Sequence, residues 1–350
     1  MSARTFRHDQ LKSSAGHARP NLIDYALLIG LAAIWGAAFM LVKIGVSSIA
    51  SWSLTAMRLS IAAVFMVSWA VLKQEAFPRT RAFWQLAFLT AVFGNALPFM
   101  LATWGQETID SGIAAICIAT MPLITLVLAH LFLSDDRLTV PKFVGVSCGL
   151  LGLIILIGPE KLSTLGSDTT RLLAVVAAAL CFATNAVLTR KLLRDEPRYA
   201  LAAAVMVLAV VIILPFALWI DRPWHLFGYG DGVAPTPQSL AAVVVLGIVQ
   251  TSIAQIMLFR LIARQGASFF SQVNYFVPVF GVFWGWLVLS EQLPAQALIA
   301  LAVILSGLAI VRFWGGTAAH PIPNLTALTA INPNTAGRKK RRKQKHLRGR

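Results

Sequence analysis

Charge is what this sequence has least of. Charged residues make up 13% of the 350, and only 14 are Asp or Glu. An average globular chain is about 25% charged. Together with 57% hydrophobic residues and a mean hydropathy of +0.73, this excludes a soluble enzyme, a disordered chain and a nucleic-acid-binding domain for most of the length. Cysteine is scarce as well. Cys117, Cys148 and Cys181 all fall in apolar runs, with no CxxC pair and no neighbouring His, so neither a disulfide framework nor a metal site is expected. There is no GxxxxGK[ST], no HExxH and no GxSxG, so no nucleotide hydrolysis, no enzymatic centre and no cofactor are expected. Of six histidines only His130 sits in an apolar run, near its end, where an interfacial place fits better than a proton relay. The first 20 residues are polar, so no cleavable signal peptide is expected there.

What is abundant is apolar sequence in long runs. Ten can be marked: 22–43, 51–72, 83–104, 112–133, 140–158, 170–188, 199–220, 239–262, 267–290 and 294–313. Each is long enough to cross a bilayer at about 1.5 Å per residue. In hydrocarbon the backbone must satisfy itself, so these runs are expected to be helices, and the short alternating segments of a barrel are absent.

The basic residues set an orientation. With the N-terminus in the cytoplasm, the inner loops hold Lys73, Arg79, Arg81, Arg137, Lys142, Arg190, Lys191, Arg194, Arg198, Arg260 and Arg264. The outer loops hold Lys161, Arg171 and Arg222. This asymmetry predicts cytoplasmic termini and an even number of spans. The net charge of +16 is concentrated at the ends, with nine of 30 basic residues in Arg338–Arg350 and four more at Arg4, Arg7, Lys12 and Arg19. The tails read as topology determinants that touch anionic lipid, not as nucleic-acid contacts.

The chain also repeats itself. Aligning Pro122 with Pro278 sets Leu133-Ser134-Asp135 on Leu289-Ser290-Glu291 without a gap. A weaker match sets Trp35–Lys43 on Phe182–Arg190. Five spans per half is an odd number, so the second half enters the membrane inverted. The expectation is an all-α polytopic membrane protein of ten transmembrane helices in two inverted five-helix repeats, a recurring plan of secondary transporters. Its parts would be a basic N-terminus 1–21, a first repeat 22–158, a linker 159–169, a second repeat 170–313 and a basic tail 314–350.

These features resemble the EamA-type transporters of the drug/metabolite transporter superfamily. The resemblance rests on WGAAFMLVKIG (Trp35–Gly45), Arg58, FGNALPF (Phe93–Phe99), WGQETIDSG (Trp104–Gly112), MPL with SDDRLTV (Met121–Val140), and NYFVPVFGVFWGWLVLSEQL (Asn274–Leu293). Asp136 stands where that family usually carries Glu. The resemblance implies movement of a small solute, such as an amino acid or drug-like compound, by alternating access, in most members as export. It also implies the bacterial inner membrane. Two rivals are a membrane-embedded enzyme and a structural or signalling membrane protein whose basic tail recruits partners.

No carboxylate falls at a span midpoint; any proton coupling would have to use a boundary group such as Asp24, Asp135 or Glu291, and helix capping or ion pairing is the competing role for Asp135 and Glu291. Two cations do lie within runs. Lys43 is near an end and can snorkel. Arg58 is about a third of the way in, where a charge costs roughly 2.5–3.5 kcal/mol; it either lines a solute path or bonds helices together. The uncharged candidates for solute contact are Trp35, Asn95, Gln250, Gln255, Gln272, Asn274 and Tyr275, since an unpartnered amide in hydrocarbon is too costly to face lipid. Ser271, Asn274 and Pro278 are expected on one face of the ninth helix. Pro98, Pro122 and Pro278 are candidate hinges. Gly145/Gly149 and Gly281/Gly285 have GxxxG spacing, which serves close packing within the bundle or a homodimer contact.

Overall fold

The computed structural model describes residues 20–133, 139–157, 167–192, 196–222 and 234–314. Among the described residues the regular structure is entirely helical. The spans are α1 (Leu22–Val46), α2 (Ser51–Leu72), α3 (Arg81–Gly105), α4 (Ser111–Phe132), α5 (Val140–Ile157), α6 (Ser167–Leu192), α7 (Arg198–Asp221), α8 (Pro237–Gly266), α9 (Val273–Leu289) and α10 (Ala295–Trp314). Nine are long and apolar enough to cross a bilayer, and α9 is a shorter apolar helix of 17 residues. Asp135, the linker at 159–166, both basic tails and the segment 223–233 lie outside the described residues.

The ninth span departs from expectation. A run over 267–290 was expected as one helix, yet α9 starts only at Val273. Gly266 adopts φ 81° and ψ 169°, outside the helical region, a conformation that glycine takes without a Cβ clash. A turn at Ser271-Gln272 follows before the helix resumes. Ser271 and Gln272 therefore precede α9, and the expected face of Ser271, Asn274 and Pro278 does not exist as a helical stripe.

Helix contacts are matched between the halves. α1 packs on α8 and α9, and α6 packs on α3 and α4. α2 packs on α7, and α5 on α10. Exchanging the two halves leaves this pattern unchanged. The caps follow the same rule. Asp221, the last residue of α7, accepts the Ser53 backbone N–H in the first turn of α2 at 2.7 Å. Glu75, just past α2, accepts the Ala200 N–H in the first turn of α7 at 2.8 Å. Each carboxylate satisfies an orphan donor at the positive end of the other helix, an interaction of about 1 kcal/mol. Glu291, past α9, likewise takes the Ser111 and Gly112 N–H groups of α4 at 2.8 and 3.0 Å.

Irregular turns also recur. α3 has a π-helical segment at Val92–Ala96 and α8 one at Leu246–Ile253. Thr251 and Ser252 hydroxyls donate to the Leu246 and Gly247 carbonyls, five residues earlier, at 2.8 and 2.9 Å. The prolines behave differently from one another. Pro98 opens the α-helical part of α3 after its π segment. Pro122 opens the second half of α4 after a break at Ala119-Thr120. Pro278 lies inside an unbroken helix.

Small residues bring the helices close. One core cluster joins α2, α3 and α7 through Ala63, Ala70, Ala87, Ala91, Ala203 and their neighbours. Of the GxxxG glycines, Gly145 faces Gly307 of α10, Gly149 faces Leu123, Gly281 faces Ala115 and Gly285 faces Ser111. All four are occupied within the bundle itself. Large apolar side chains such as Val211, Trp219, Trp286 and Phe313 remain exposed on the outside, as a lipid-facing surface requires.

A Cβ at Gly307 would lie 2.6 Å from the Gly145 carbonyl oxygen and 2.8 Å from Cys148 Cβ. Neither can yield without separating α5 from α10. Gly307→Ala is expected to destabilise the fold by about 1–3 kcal/mol. The check is the thermal midpoint of detergent-purified protein; an unchanged midpoint would contradict the close α5–α10 contact.

Candidate functional site

The helices enclose a cavity of about 580 Å³, a size suited to small organic molecules. Its lining runs from Arg190, Glu196, Arg198 and Ile262, at the end of the bundle where α1 begins, to Val42, Thr103 and Gln106 toward the other end. The first group is partly exposed and the second is buried. Aromatic walls come from Trp35, Phe39, Phe99, Phe182, Phe259 and Phe270. Trp35 meets Phe270 edge to face at 6.0 Å, and Phe99 meets Phe182 at 6.0 Å.

Polar groups interrupt these walls. Arg58, 7% exposed, donates from Nε to Thr251 Oγ1 at 3.0 Å. Thr251 Oγ1 in turn donates to the Leu246 carbonyl within the π segment at 2.8 Å. The guanidinium carbon lies 3.9 Å from the centroid of the Phe99 ring, a cation–π contact. Asn95 Nδ2 donates to Thr90 O at 3.3 Å. Gln250 is 4% exposed, and its Oε1 meets no donor. Glycine makes the α2–α8 approach possible: a Cβ at Gly247 would stand 2.7 Å from Ile61 Cβ and 3.0 Å from Arg58 O.

Of the residues singled out in the sequence, Trp35, Arg58, Asn95, Gln250, Gln255 and Asn274 line this one cavity. Gln272 and Tyr275 do not. Gln272 sits in the turn before α9. Tyr275 turns away, donating its hydroxyl to Leu308 O of α10 at 2.9 Å. Pro98, Pro122 and Pro278 are also absent from the lining.

Sequence reasoning passed over Asn185, Thr90, Thr251 and Gln106, all of which line the cavity. The repeat held the signal for Asn185. The alignment that sets Trp35 on Phe182 also sets Ala38, Phe39 and Val42 on Asn185, Ala186 and Thr189, and all eight line the cavity. The alignment of Pro122 with Pro278 sets Ile118 and Met121 on Asn274 and Val277, again all in the lining. Carried to α3 and α8 it pairs Gly94, Asn95, Phe99, Ala102, Thr103 and Gln106 with Gln250, Thr251, Gln255, Leu258, Phe259 and Ile262. Every one of these lines the cavity too. The cavity thus sits on the pseudo-two-fold axis of the repeat.

Beyond Gln106 the bundle is closed by polar contacts. Lys43 Nζ donates to the Gln106 and Ile109 carbonyls at 3.0 and 2.9 Å. Glu107 accepts from both Ser51 Oγ and Arg171, and Arg171 also covers the Trp104 ring at 4.0 Å. Asp110, in this same connection, has its carboxyl pKa raised by burial and by the charge of Glu291, against the opposing effect of Lys43. At the opposite end, Asp24 is fully buried and receives Arg264 Nε at 2.6 Å and Gln265 Nε2 at 2.7 Å, tying α1 to the end of α8. Among the described residues no cluster of His, Cys, Asp and Glu could hold a metal ion.

A polytopic helical bundle around a central, polar-lined cavity is the architecture of a membrane transporter. Residues 22–158 and 169–313 each match the EamA-like transporter family, and the chain belongs to that family. It is 25% identical over 284 residues to an uncharacterized transporter, YoaV, of Bacillus subtilis (strain 168), covering 80% of this chain and 94% of that one. It is 26% identical over 290 residues to the uncharacterized inner membrane transporter YedA of Escherichia coli (strain K12), covering 82% and 90%. A probable terminal-alkyne amino-acid exporter of Streptantibioticus cattleyicolor is 25% identical over 280 residues, covering 79% and 89%. A crystal structure at 17% identity superposes with a TM-score of 0.57, covering 82% of this chain and 96% of that one, and shares the fold.

The lining gives a direct test. In a cysteine-free background, Cys at Asn274 or Asn185 is expected to react with a small water-soluble thiol reagent. Cys at Tyr275, or at Phe280, whose backbone and Cβ abut Gly36, is expected to react far more slowly. Reactivity at 280 with an inert 274 would mean that α9 is rotated from the orientation described.

Proposed function

We propose that this protein is a secondary transporter that moves a small organic solute across the bacterial inner membrane by exposing the central cavity alternately to each side. The observation that carries the reading is the cavity itself. It lies on the axis that relates the two halves, and its lining is drawn from equivalent positions of both. Rocking one half against the other around such a site opens it first to one side and then to the other. The breaks at Ala119-Thr120 and Gly266 and the π segments at Val92–Ala96 and Leu246–Ile253 interrupt regular α-helical hydrogen bonding, and they serve as hinges, with Pro98 and Pro122 opening the helical stretches that follow two of them and Pro278 a further hinge within α9. Trp35, Arg58, Asn95, Asn185, Gln250, Gln255 and Asn274 contact the solute.

The basic-residue asymmetry puts the start of α1, and both termini, in the cytoplasm. On this reading the partly exposed residues of the cavity face the cytoplasm, as expected of an inward-facing state. Solute is taken from the cytoplasm and released outside, the direction of the Streptantibioticus relative named as an exporter. Amino acids and drug-like compounds fit the cavity by size. The basic C-terminal segment meets anionic lipid at the inner surface.

Two measurements test this. Reporter fusions after Thr317 and within residues 221–238 are expected to give opposite signals; the same signal from both would overturn the topology. Flux is expected to run on a solute or ion gradient, so purified protein in ATP-free liposomes should exchange solute. An absolute requirement for ATP with this chain alone would refute secondary transport.

A further inference from the structure

The charges that line the cavity are not balanced. Among the described residues the only carboxylate in the lining is Glu196, at the end where α1 begins, beside Arg190 and Arg198. Deeper in, the lining carries amides, hydroxyls, aromatic rings and a single full charge, Arg58. Arg58 as a residue is more than nine-tenths buried. One of its edges is committed through Nε to Thr251 and one of its faces to Phe99. Its two terminal nitrogens meet no acceptor among the described residues and form no ion pair there. Neither nitrogen is sealed in protein: the sealed, unpartnered polar atoms are Ser53 Oγ, Trp69 Nε1, Gln106 Oε1 and Gln250 Oε1. The open edge of Arg58 therefore faces cavity space.

We infer that the solute is an organic carboxylate with an apolar body, and that the terminal nitrogens of Arg58 hold its carboxylate. This rests on the transporter reading above and narrows it. A guanidinium presents a planar pair of N–H donors that matches a carboxylate in a bidentate fork. Thr251 and Phe99 fix the plane of that fork, so little freedom is lost when an anion arrives. With no anion the cavity holds an uncompensated cation in a bundle that crosses hydrocarbon, a costly arrangement. An entering carboxylate relieves that cost, whereas an amine adds a second positive charge and a neutral amide leaves the charge unbalanced. The body of the solute lies against Trp35, Phe182 and Phe270, whose rings need only apolar or aromatic surface. Asn95, Asn185 and Asn274 accept a range of polar substituents, since an amide is both donor and acceptor. An ammonium group finds no carboxylate in the deep lining, so a zwitterion is bound less well than the acid that lacks the amine.

The test uses four probes with one ring and different head groups: phenylacetate, phenylacetamide, phenethylamine and phenylalanine. Each is added at millimolar concentration to the purified full-length chain, and the shift in thermal midpoint is read. Phenylacetate is expected to give the largest upward shift, phenylalanine a smaller one, and the amide and amine none. Arg58→Gln is expected to weaken apparent phenylacetate affinity by roughly tenfold to a hundredfold, the value of a charge-assisted hydrogen bond. Arg58→Lys, which keeps the charge but loses the fork, should fall between. Thr251→Val, which frees Nε without removing the charge, should weaken binding less than Arg58→Gln. An amine or amide shift equal to that of phenylacetate would overturn the inference, as would no phenylacetate shift in the unaltered chain or undiminished binding in Arg58→Gln. The transporter reading is judged separately: liposome flux of neutral or cationic solutes without phenylacetate competition would leave it standing while this inference falls.

Discussion

Hydrocarbon offers no hydrogen bonds, and each polar feature of this bundle answers to that fact. It makes the apolar runs helical, since only a helix satisfies its own backbone. It also governs the helix ends, where the first N–H groups are orphaned. Here those donors are met by carboxylates from other spans: Asp221 at α2, Glu75 at α7 and Glu291 at α4. Scarce acid is thus spent where it neutralises a positive helix end and ties one half of the chain to the other. The same constraint directs the amides inward, and the cavity is where several of them meet.

Much of the architecture could be read from residue order because hydropathy and helix length act locally. The run 51–72 is a helix with those limits, and every described residue of the run 140–158 is helical. The inverted relation was readable from two short matches. What could not be read were backbone choices with near-equal local energies. The connection expected at 263–266 does hold a break, made by the Gly266 backbone, but hydropathy ran straight through the turn at Ser271-Gln272, which lies between Phe270 and Val273. The π segments at Val92–Ala96, Ala217–Asp221 and Leu246–Ile253 share no sequence signature, and the contact of Thr251 in the last with Arg58 joins residues far apart in sequence.

The cavity shows a related limit. That an amide must face inward follows from cost, but inward has two meanings. Tyr275 is next to Asn274 in sequence, yet one bonds the Leu308 carbonyl and the other lines the cavity. A helix turns by about 100° per residue, so adjacent polar residues serve different neighbours, and only the packed partners decide which. Asn185 is the opposite case. It stands where the repeat had already placed it, opposite Ala38, and was missed because its own surroundings, Ala183 to Val187, resemble any apolar helix.

Duplication fixes the positions of the lining but not its chemistry. Paired places carry Ala38 and Asn185, Ile118 and Asn274, Gly94 and Gln250, and Phe99 and Gln255. In each pair an amide faces a small or apolar residue across the axis. Packing gives one reason. Gly94 leaves room for Asn185, whose Nδ2 would lie 2.8 Å from a Cβ at position 94. Two large amides at one level would have to share that space. A symmetric scaffold therefore encloses an asymmetric interior, and Arg58 is the extreme case. It contributes the one deep charge from α2, while α7 offers Leu201, Ala202, Val205 and Met206. The symmetry of the fold lets the halves exchange roles about the cavity, and its departure from symmetry within the lining gives a bound solute a head and a tail.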